Sequence, residues 1–236
     1  MLVIFFRKSN QSIGSYFFSY KIHKHNLRIY AEYDTETGNF THRQISTKGT
    51  HEFLYGCLEI RAKLSVYPGA DALWFSSDVS QETGYSQEID LLEDLSFPTN
   101  QFASNLHFWG ASHGSLDSTQ YNKDKVYTLP DSQGNLSDNY HIFTLEWDPD
   151  TIKYCVDGKA FFAYDIKNGL TTNEGKCVGA DTFRQAVFTM MSTTMGASSY
   201  GPKWQEGDPE RVELRVDYVR LYQCKSDKGY SREILK

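Results

Sequence analysis

Four carboxylates fall within seven residues of the stretch QEIDLLEDL, Gln87 to Leu95: Glu88, Asp90, Glu93 and Asp94, set among Ile89, Leu91 and Leu92. Acids are costly to bury, and half of this stretch is apolar. In a strand, Glu88 and Asp90 share a face because side chains repeat every two residues. Glu93 has the opposite parity. One extra residue around Leu91–Leu92, a β-bulge, returns Glu93 to the face of the other two, and bulges re-aim side chains in this way beside active sites. Three carboxylates on one face cannot ionise independently, so at least one pKa is raised and another lowered. An ionised carboxylate beside a protonated one is the pair used in retaining glycoside cleavage, at a separation of about 5–5.5 Å. On this chemistry Glu88 and Glu93 are the two working ends, and Asp90 between them can hydrogen-bond to either.

Two alternatives compete locally. A helix would put Ile89, Leu92 and Leu95 on one side, but no capping box precedes the stretch and Phe97-Pro98 closes it quickly. A calcium site also gathers acids. Calcium loops are irregular and glycine-rich, whereas here a bulky apolar residue fills every gap. A catalytic strand is the expectation.

The elements that must hold such a strand are legible as further strands. In CLEIRAKLSV, Leu58, Ile60, Ala62, Leu64 and Val66 alternate with Glu59, Arg61 and Lys63, a period of two with one wet face. HIFTLEWDPDTIKYCVDGKAFFAYD predicts a three-strand meander: Asp148-Pro149-Asp150 makes the first turn and Asp157-Gly158 a type I′ hairpin. Near the end, Val212, Leu214, Val216 and Tyr218 alternate with charged residues, and the parity then shifts to Val219 and Leu221. That shift predicts a strand whose end is buried on both faces. Long amphipathic helical patterns, linkers and repeats are absent, so one all-β sandwich of jelly-roll type over residues 1–236 is expected. The charged end, 225–236, reads as a loose tail or a short surface helix.

Composition narrows the function classes. The 236 residues carry a net charge of −6, which argues against a nucleic-acid partner, since phosphate contacts need a basic face. Aromatic residues make up 15 % of the chain, which suits strands and stacking surfaces. No apolar run reaches the roughly 18 residues of a membrane span. The opening MLVIFFRKSN lacks a small-residue cleavage site and does not read as a signal peptide. Cys57, Cys155, Cys177 and Cys224 show no C-x-x-C spacing, which argues against zinc and leaves free thiols as the default.

With these residues in view, EIDLLE, Glu88 to Glu93, resembles the bulged E-[IL]-D-x-x-E signature of glycoside hydrolase family 16, the form shared by laminarinases, agarases, porphyranases and κ-carrageenases. STKGTHEFLYGCLEIRAKL is similar to the family's F-x-Y-G-x-x-E-x-R-x-K strand pair, with Tyr55-Gly56, Glu59, Arg61 and Lys63 in place. YHIFTLEWDPDTIKYCVDG and VDYVRLYQ resemble its meander and closing strand. The resemblance spans roughly Asn26 to Gln223. It implies a jelly-roll of two antiparallel sheets with a glycan across the concave face, Glu88 as nucleophile, Glu93 as general acid/base, and Asp90 as the residue tuning the nucleophile.

The resemblance further implies a retaining endo-glycosidase acting on a β-linked polysaccharide. That polymer is a β-1,3- or mixed-linkage glucan, or a galactan such as agarose, porphyran or carrageenan. A non-catalytic lectin on the same fold and a transglycosylase are the alternatives. An extracellular or periplasmic monomer without cofactors is expected. The family's convex-face calcium would use Asp217 and a region before NLRIYAEYD; only about 25 residues precede that segment here, so a trimmed sheet edge and no bound metal are expected. The frequent W-P-A before the cleft strand is replaced by GADALW, which tilts the reading toward galactans.

Exposed aromatic rings in a cleft mark sugar subsites. Trp74, in ALWF, is expected in the cleft, with core packing as the alternative. His107 and Trp109, in NLHFWG, share parity and could both face the glycan, though His107 also fits a buried structural role. Trp204, in the polar loop YGPKWQEGD, is a candidate for stacking, and Trp147 in the meander is expected to be structural.

Overall fold

The computed structural model describes residues 7–8, 20–23, 26–78, 84–94, 99–110, 125–168, 170–171, 177–178, 183–195, 203–223 and 233–234. Within them the chain forms two large antiparallel sheets. The seven-stranded sheet runs β1 (Arg7–Lys8), β5 (His42–Ser46), β16 (Phe188–Thr194), β7 (Asp71–Ser76), β8 (Tyr85–Glu93), β9 (Gln101–Gly110) and β10 (Val126–Thr128). The nine-stranded sheet runs β13 (Lys159–Asp165), β12 (Thr151–Val156), β11 (His141–Trp147), β6 (Gly56–Lys63), β17 (Arg211–Gln223), β3 (Asn26–Asp34) and β2 (Tyr20–His23). Two short strands, β4 (Asn39–Phe40) and β18 (Glu233–Ile234), attach to β3 and β17. A separate two-stranded ladder joins β14 (Leu170–Thr171) and β15 (Cys177–Val178).

Sequence alternation sorts each strand into an inner and an outer face. Leu58, Ile60 and Ala62 of β6 are buried while Glu59, Arg61 and Lys63 are partly exposed. Leu73, Phe75, Ile89 and Leu106 line the inner face of the seven-stranded sheet. Phe102 meets Phe143 of the opposite sheet edge-on at 5.6 Å between ring centroids. Trp147 is buried against Phe53 and Tyr55 and donates from Nε1 to the Phe183 carbonyl at 3.2 Å, the structural role expected of it.

Local turn chemistry closes the meander as the sequence implies. Asp157 and Gly158 both have positive φ, 49° and 77°, the type I′ geometry that suits the twist of the flanking strands. The Asp157 carboxylate accepts the Ile142 amide at 2.9 Å and lies 2.8 Å from His141 Nδ1, tying the turn to β11. Tyr55-Gly56 also has a steric reason. Gly56 lies at φ 134°, and a Cβ there would sit 2.7 Å from the Tyr222 carbonyl oxygen.

Two expectations need correction. The parity shift near the C-terminal end of β17 is a bulge between Val216 and Tyr218, not burial on both faces. The extra residue keeps Val219 and Leu221 on the inner side after Val212, Leu214 and Val216, and Arg220 stays exposed. Before β3 the described residues add two short strands, β1 beside β5 and β2 beside β3. In the tail, Glu233–Ile234 extends the sheet beside Tyr222–Gln223 instead of forming a helix, and residues 224–232 lie outside the described set. Cys57 and Cys155 are thiols, whereas Cys224 and the Cys177 side chain lie outside the described set. No helix among the described residues is long and apolar enough to cross a membrane.

Candidate active site

The acid-bearing segment is strand β8, and it is bulged. On one side Leu92 pairs with Leu73 and Asp90 with Trp74, leaving Leu91 without a partner. On the other side Asp90 pairs with Asn105 and Glu93 with Ala103, so Leu91 and Leu92 together face Ser104 alone. The Ser104 hydroxyl donates to the Leu91 carbonyl at 2.8 Å, satisfying the backbone group that the bulge removes from the ladder. Ile89, Leu91 and Leu92 are all at most 1 % exposed. Each such side chain contributes about 1.5–3 kcal/mol by its burial, which holds the acids to the outer face.

Strand pairing then surrounds the acids with β9. Glu88 lies opposite His107, Asp90 opposite Asn105, and Ser86 opposite Trp109. His107 is 4 % exposed, and its Nε2 sits 2.9 Å from Asp90 Oδ2 and 4.0 Å from Glu93 Oε2. Burial favours the neutral imidazole, but the charge of Asp90, its contact and that of Glu93, and the charge of Glu88 outweigh it, so the pKa is pushed up to about 10. The charge of Asp90 is what holds a proton on His107, so the two groups share it. Burial first, then the charges of Glu93 and Glu88, push the Asp90 carboxyl well above the usual carboxylate range. The cluster thus holds protons that three exposed acids and a histidine would release.

One oxygen each of Glu88 and Asp90 and a ring nitrogen of His107 lie within 4.8 Å of one another. That spacing can suit a metal ion, and the 2.9 Å contact between His107 and Asp90 suits a shared proton. At Asp217, the residue that a convex-face calcium would use, Arg61 Nη1 binds Oδ2 at 2.5 Å. A guanidinium on the carboxylate supplies positive charge there.

Glu93 is held from below. Asn105 Nδ2 donates to Glu93 Oε2 at 2.8 Å, and the Asn105 carbonyl accepts the Tyr154 hydroxyl at 2.9 Å from the opposite sheet. Tyr154 is fully buried, and that burial, then Tyr164 and the acids, raise its pKa well above the ordinary phenol value. It stays a donor. Neither residue was singled out from the sequence, although Asn105 shares the parity of His107 and Trp109.

A cavity of about 240 Å³ opens beside the acids. Its floor crosses β7 at Ala72 and Trp74, β16 at Ser192 and Thr194, and β5 at His42 and Gln44. Trp74 thus lines the cavity in register with Asp90. Trp109 is partly buried and stacks on His107, with ring centroids 5.3 Å apart at 14°. The Trp204 ring stacks on Tyr33 at 4.4 Å and 11°, and its Nε1 donates to the Pro209 carbonyl at 3.2 Å. It belongs to a second, smaller cluster with Tyr67, Met195 and Val212.

Two further acids line the cavity end, Asp71 and Asp94. Burial pushes Asp71 up to about 6, against hydrogen bonds from Ser65 and Thr193. Burial and then the charge of Asp71 push Asp94 up to about 8, against the Gly69 and Ala70 amides.

The sequence profile of glycosyl hydrolases family 16 matches residues 15–219. This chain belongs to that family. Family 16 relatives include "Glucan endo-1,3-beta-glucosidase A1" of Niallia circulans, 27 % identical over 182 residues, covering 76 % of this chain and 26 % of that protein. "Beta-glucanase" of Rhodothermus marinus is 27 % identical over 207 residues, covering 83 % of this chain and 67 % of that protein. The family 16 chain thus spans only about a quarter of the Niallia protein's length. Among solved structures, the laminarinase catalytic domain of Thermotoga maritima superposes with a TM-score of 0.71 at 26 % identity, covering 88 % of this chain and 81 % of that one.

Proposed function

We propose that this family 16 chain is an endo-acting β-glucan hydrolase working by retaining double displacement. The observation that carries the reading is the bulge at Leu91–Leu92, which turns Glu88, Asp90 and Glu93 to one face beside a cavity. The names of the relatives, a 1,3-β-glucosidase, a β-glucanase and a laminarinase, favour a glucan over a galactan.

In the first step a Glu88 oxygen attacks the anomeric carbon as the bond to the leaving oxygen breaks, and Glu93 gives that oxygen a proton. In the second, water attacks the same carbon, Glu93 takes the water proton, and the bond to Glu88 breaks. Asn105 keeps Glu93 in one orientation through both steps. Asp90 shares a proton with His107 beside Glu88, which offsets part of the negative charge of the cluster. Trp74, and Trp109 where its ring is open, offer apolar faces to sugar rings.

The reading takes the protein to be a monomer acting outside the cytoplasm, in the periplasm or medium, where glucan polymers are met. Reducing-sugar release from β-1,3-glucan, mixed-linkage glucan, agarose and carrageenan tests it. Release from a glucan is expected, with products several units long, and Glu88→Gln should remove it while the protein stays folded. Binding without release from any polymer would make the chain a lectin, and products longer than the substrate would make it a transglycosylase.

A further inference from the structure

Strand β8 carries a polar side chain on its core side, one residue before the proposed nucleophile. Gln87 shares the inward parity of Ile89 and is 1 % exposed. An amide buried there is destabilising unless both of its ends find partners. Gln87 Nε2 donates to the Gln185 carbonyl at 2.6 Å, and its Oε1 accepts the Gln185 amide at 3.4 Å. One side chain thus holds both backbone groups of one residue. The Gln87 backbone is tied as fully. Its amide donates to Ser77 Oγ at 2.9 Å, and its carbonyl accepts the Ser77 amide at 3.0 Å.

Gln185 is itself anchored on both sides. Phe183, two residues before it, is buried at φ 61°, and its carbonyl accepts Trp147 Nε1 of the nine-stranded sheet at 3.2 Å. Val187, two residues after it, exchanges two backbone hydrogen bonds of 2.9 Å with Phe53. A chain of fixed groups therefore runs from Trp147 through Phe183–Val187 to the Gln87 amide. It ends on the peptide group that joins Gln87 to Glu88. Ser76, opposite Glu88, is the last residue of β7. The Gln87 contacts hold the strand where that ladder stops.

We propose that Gln87 is a positioning residue for the nucleophile, its amide fixing the backbone from which Glu88 reaches the anomeric carbon. The proposal rests on the retaining reading, with Glu88 as the attacking carboxylate. Attack needs the oxygen about 3–3.5 Å from the carbon and in line with the bond that breaks. A shift of the strand at Gln87 therefore lowers the rate of attack more than the affinity for glycan.

A 2-deoxy-2-fluoro β-glycosyl fluoride of a β-1,3-linked glucose disaccharide isolates that attack. A Glu88 oxygen bonds to the anomeric carbon, the C–F bond there breaks, and fluoride leaves with the electron pair, needing little help from Glu93. The 2-fluoro group slows release of the sugar, so intact-mass spectra count the labelled molecules. Gln87→Met keeps the side-chain length and removes both hydrogen bonds. Its limiting labelling rate per folded molecule should fall about tenfold, while the half-saturating probe concentration stays within about twofold of wild type. In Gln87→Glu a protonated carboxyl donates and accepts as the amide does, whereas an ionised one offers the Gln185 carbonyl only acceptors. Burial raises the pKa of such a carboxyl, so this variant should match wild type at about pH 5 and fall behind it by about pH 9. The proposal is overturned if Gln87→Met melts lower yet labels at the wild-type rate, or if only its half-saturating concentration changes. It is also overturned if Gln87→Glu matches wild type at both pH values or is slow at both, and this variant decides alone should Gln87→Met fail to fold. A wild type that takes no label on Glu88 sinks the retaining reading itself. A labelled wild type with an equally fast Gln87→Met sinks the positioning role alone.

Discussion

Asn105 Nδ2 donates to Glu93 Oε2 at 2.8 Å across the β8–β9 pair, so the proposed general acid/base does not choose its own rotamer. The same residue is fixed from the opposite sheet by the Tyr154 hydroxyl on its carbonyl. The acid is therefore positioned by the core.

Asn105→Ala should lower kcat roughly tenfold with a smaller change in KM, because a general acid/base a few tenths of an ångström out of place loses efficiency before binding does. Stability should fall by about 1 kcal/mol for the lost side-chain bond, since the backbone carbonyl that accepts from Tyr154 stays. Steady-state kinetics and denaturant melts check both numbers. An unchanged kcat would remove Asn105 from the mechanism.

The pH dependence of stability has a predictable sign. Asp71 and Asp94 titrate at about 6 and about 8 in the folded protein, against an ordinary value of 3.8. The folded state therefore holds protons that the unfolded chain releases. Their contribution is fully present below about pH 4 and is lost as pH rises through about 6 and then about 8. Asp94→Asn removes the larger part of this effect. Between pH 4 and 8 its stability relative to wild type should improve by an amount on the order of 1–3 kcal/mol, read from urea melts at both ends. A constant difference across that range would refute the assignment of Asp94.

Gly56→Ala should be strongly destabilising, by roughly 2–4 kcal/mol, since the new Cβ meets backbone at a φ that L-residues avoid. The folded fraction should keep its turnover number, because Gly56 faces Tyr222 within the nine-stranded sheet, whereas the acids lie on the seven-stranded one. Thermal melts alongside active-site titration separate the two effects.

Retention of configuration follows from the proposed roles. NMR of the first-formed product should show the β-anomer before mutarotation. Azide should rescue Glu88→Ala and give the α-glycosyl azide, as a small anion fills the space of the lost carboxylate. An α-anomer appearing first, or a Glu88–Glu93 carboxyl separation of about 6.5–9.5 Å in a ligand complex, would indicate inversion.

Much of this architecture is readable along the chain because it depends on neighbours in sequence. The parity of Leu58, Ile60 and Ala62 sets the inner face of β6 whatever lies above it. Asp157-Gly158 makes its turn from its own backbone preferences. The bulge, too, is a matter of counting: Glu88 and Asp90 share a parity that Glu93 lacks, and two adjacent leucines both find burial only if one residue is extra. The second bulge, at Asp217, left the same parity signal in the sequence. There, burial on both faces was an equal solution until β6 and β3 were in place on either side.

What the chain order alone could not decide is which distant groups meet. His107 is equally a cleft residue or a buried one until its register opposite Glu88 brings Nε2 to Asp90, and only that contact lets the two share a proton. Trp204 looks like a stacking ring for sugar in its polar loop, and only the sheet brings Tyr33 flat against one of its faces. Tyr154 reaches the acid/base only through a carbonyl 49 residues away, from the other sheet. The face on which an acid sits is set by backbone periodicity, a local property that sequence records. Its protonation, its orientation and the ligand its cavity accepts depend on burial and on through-space contacts, and these exist only once the two sheets have packed.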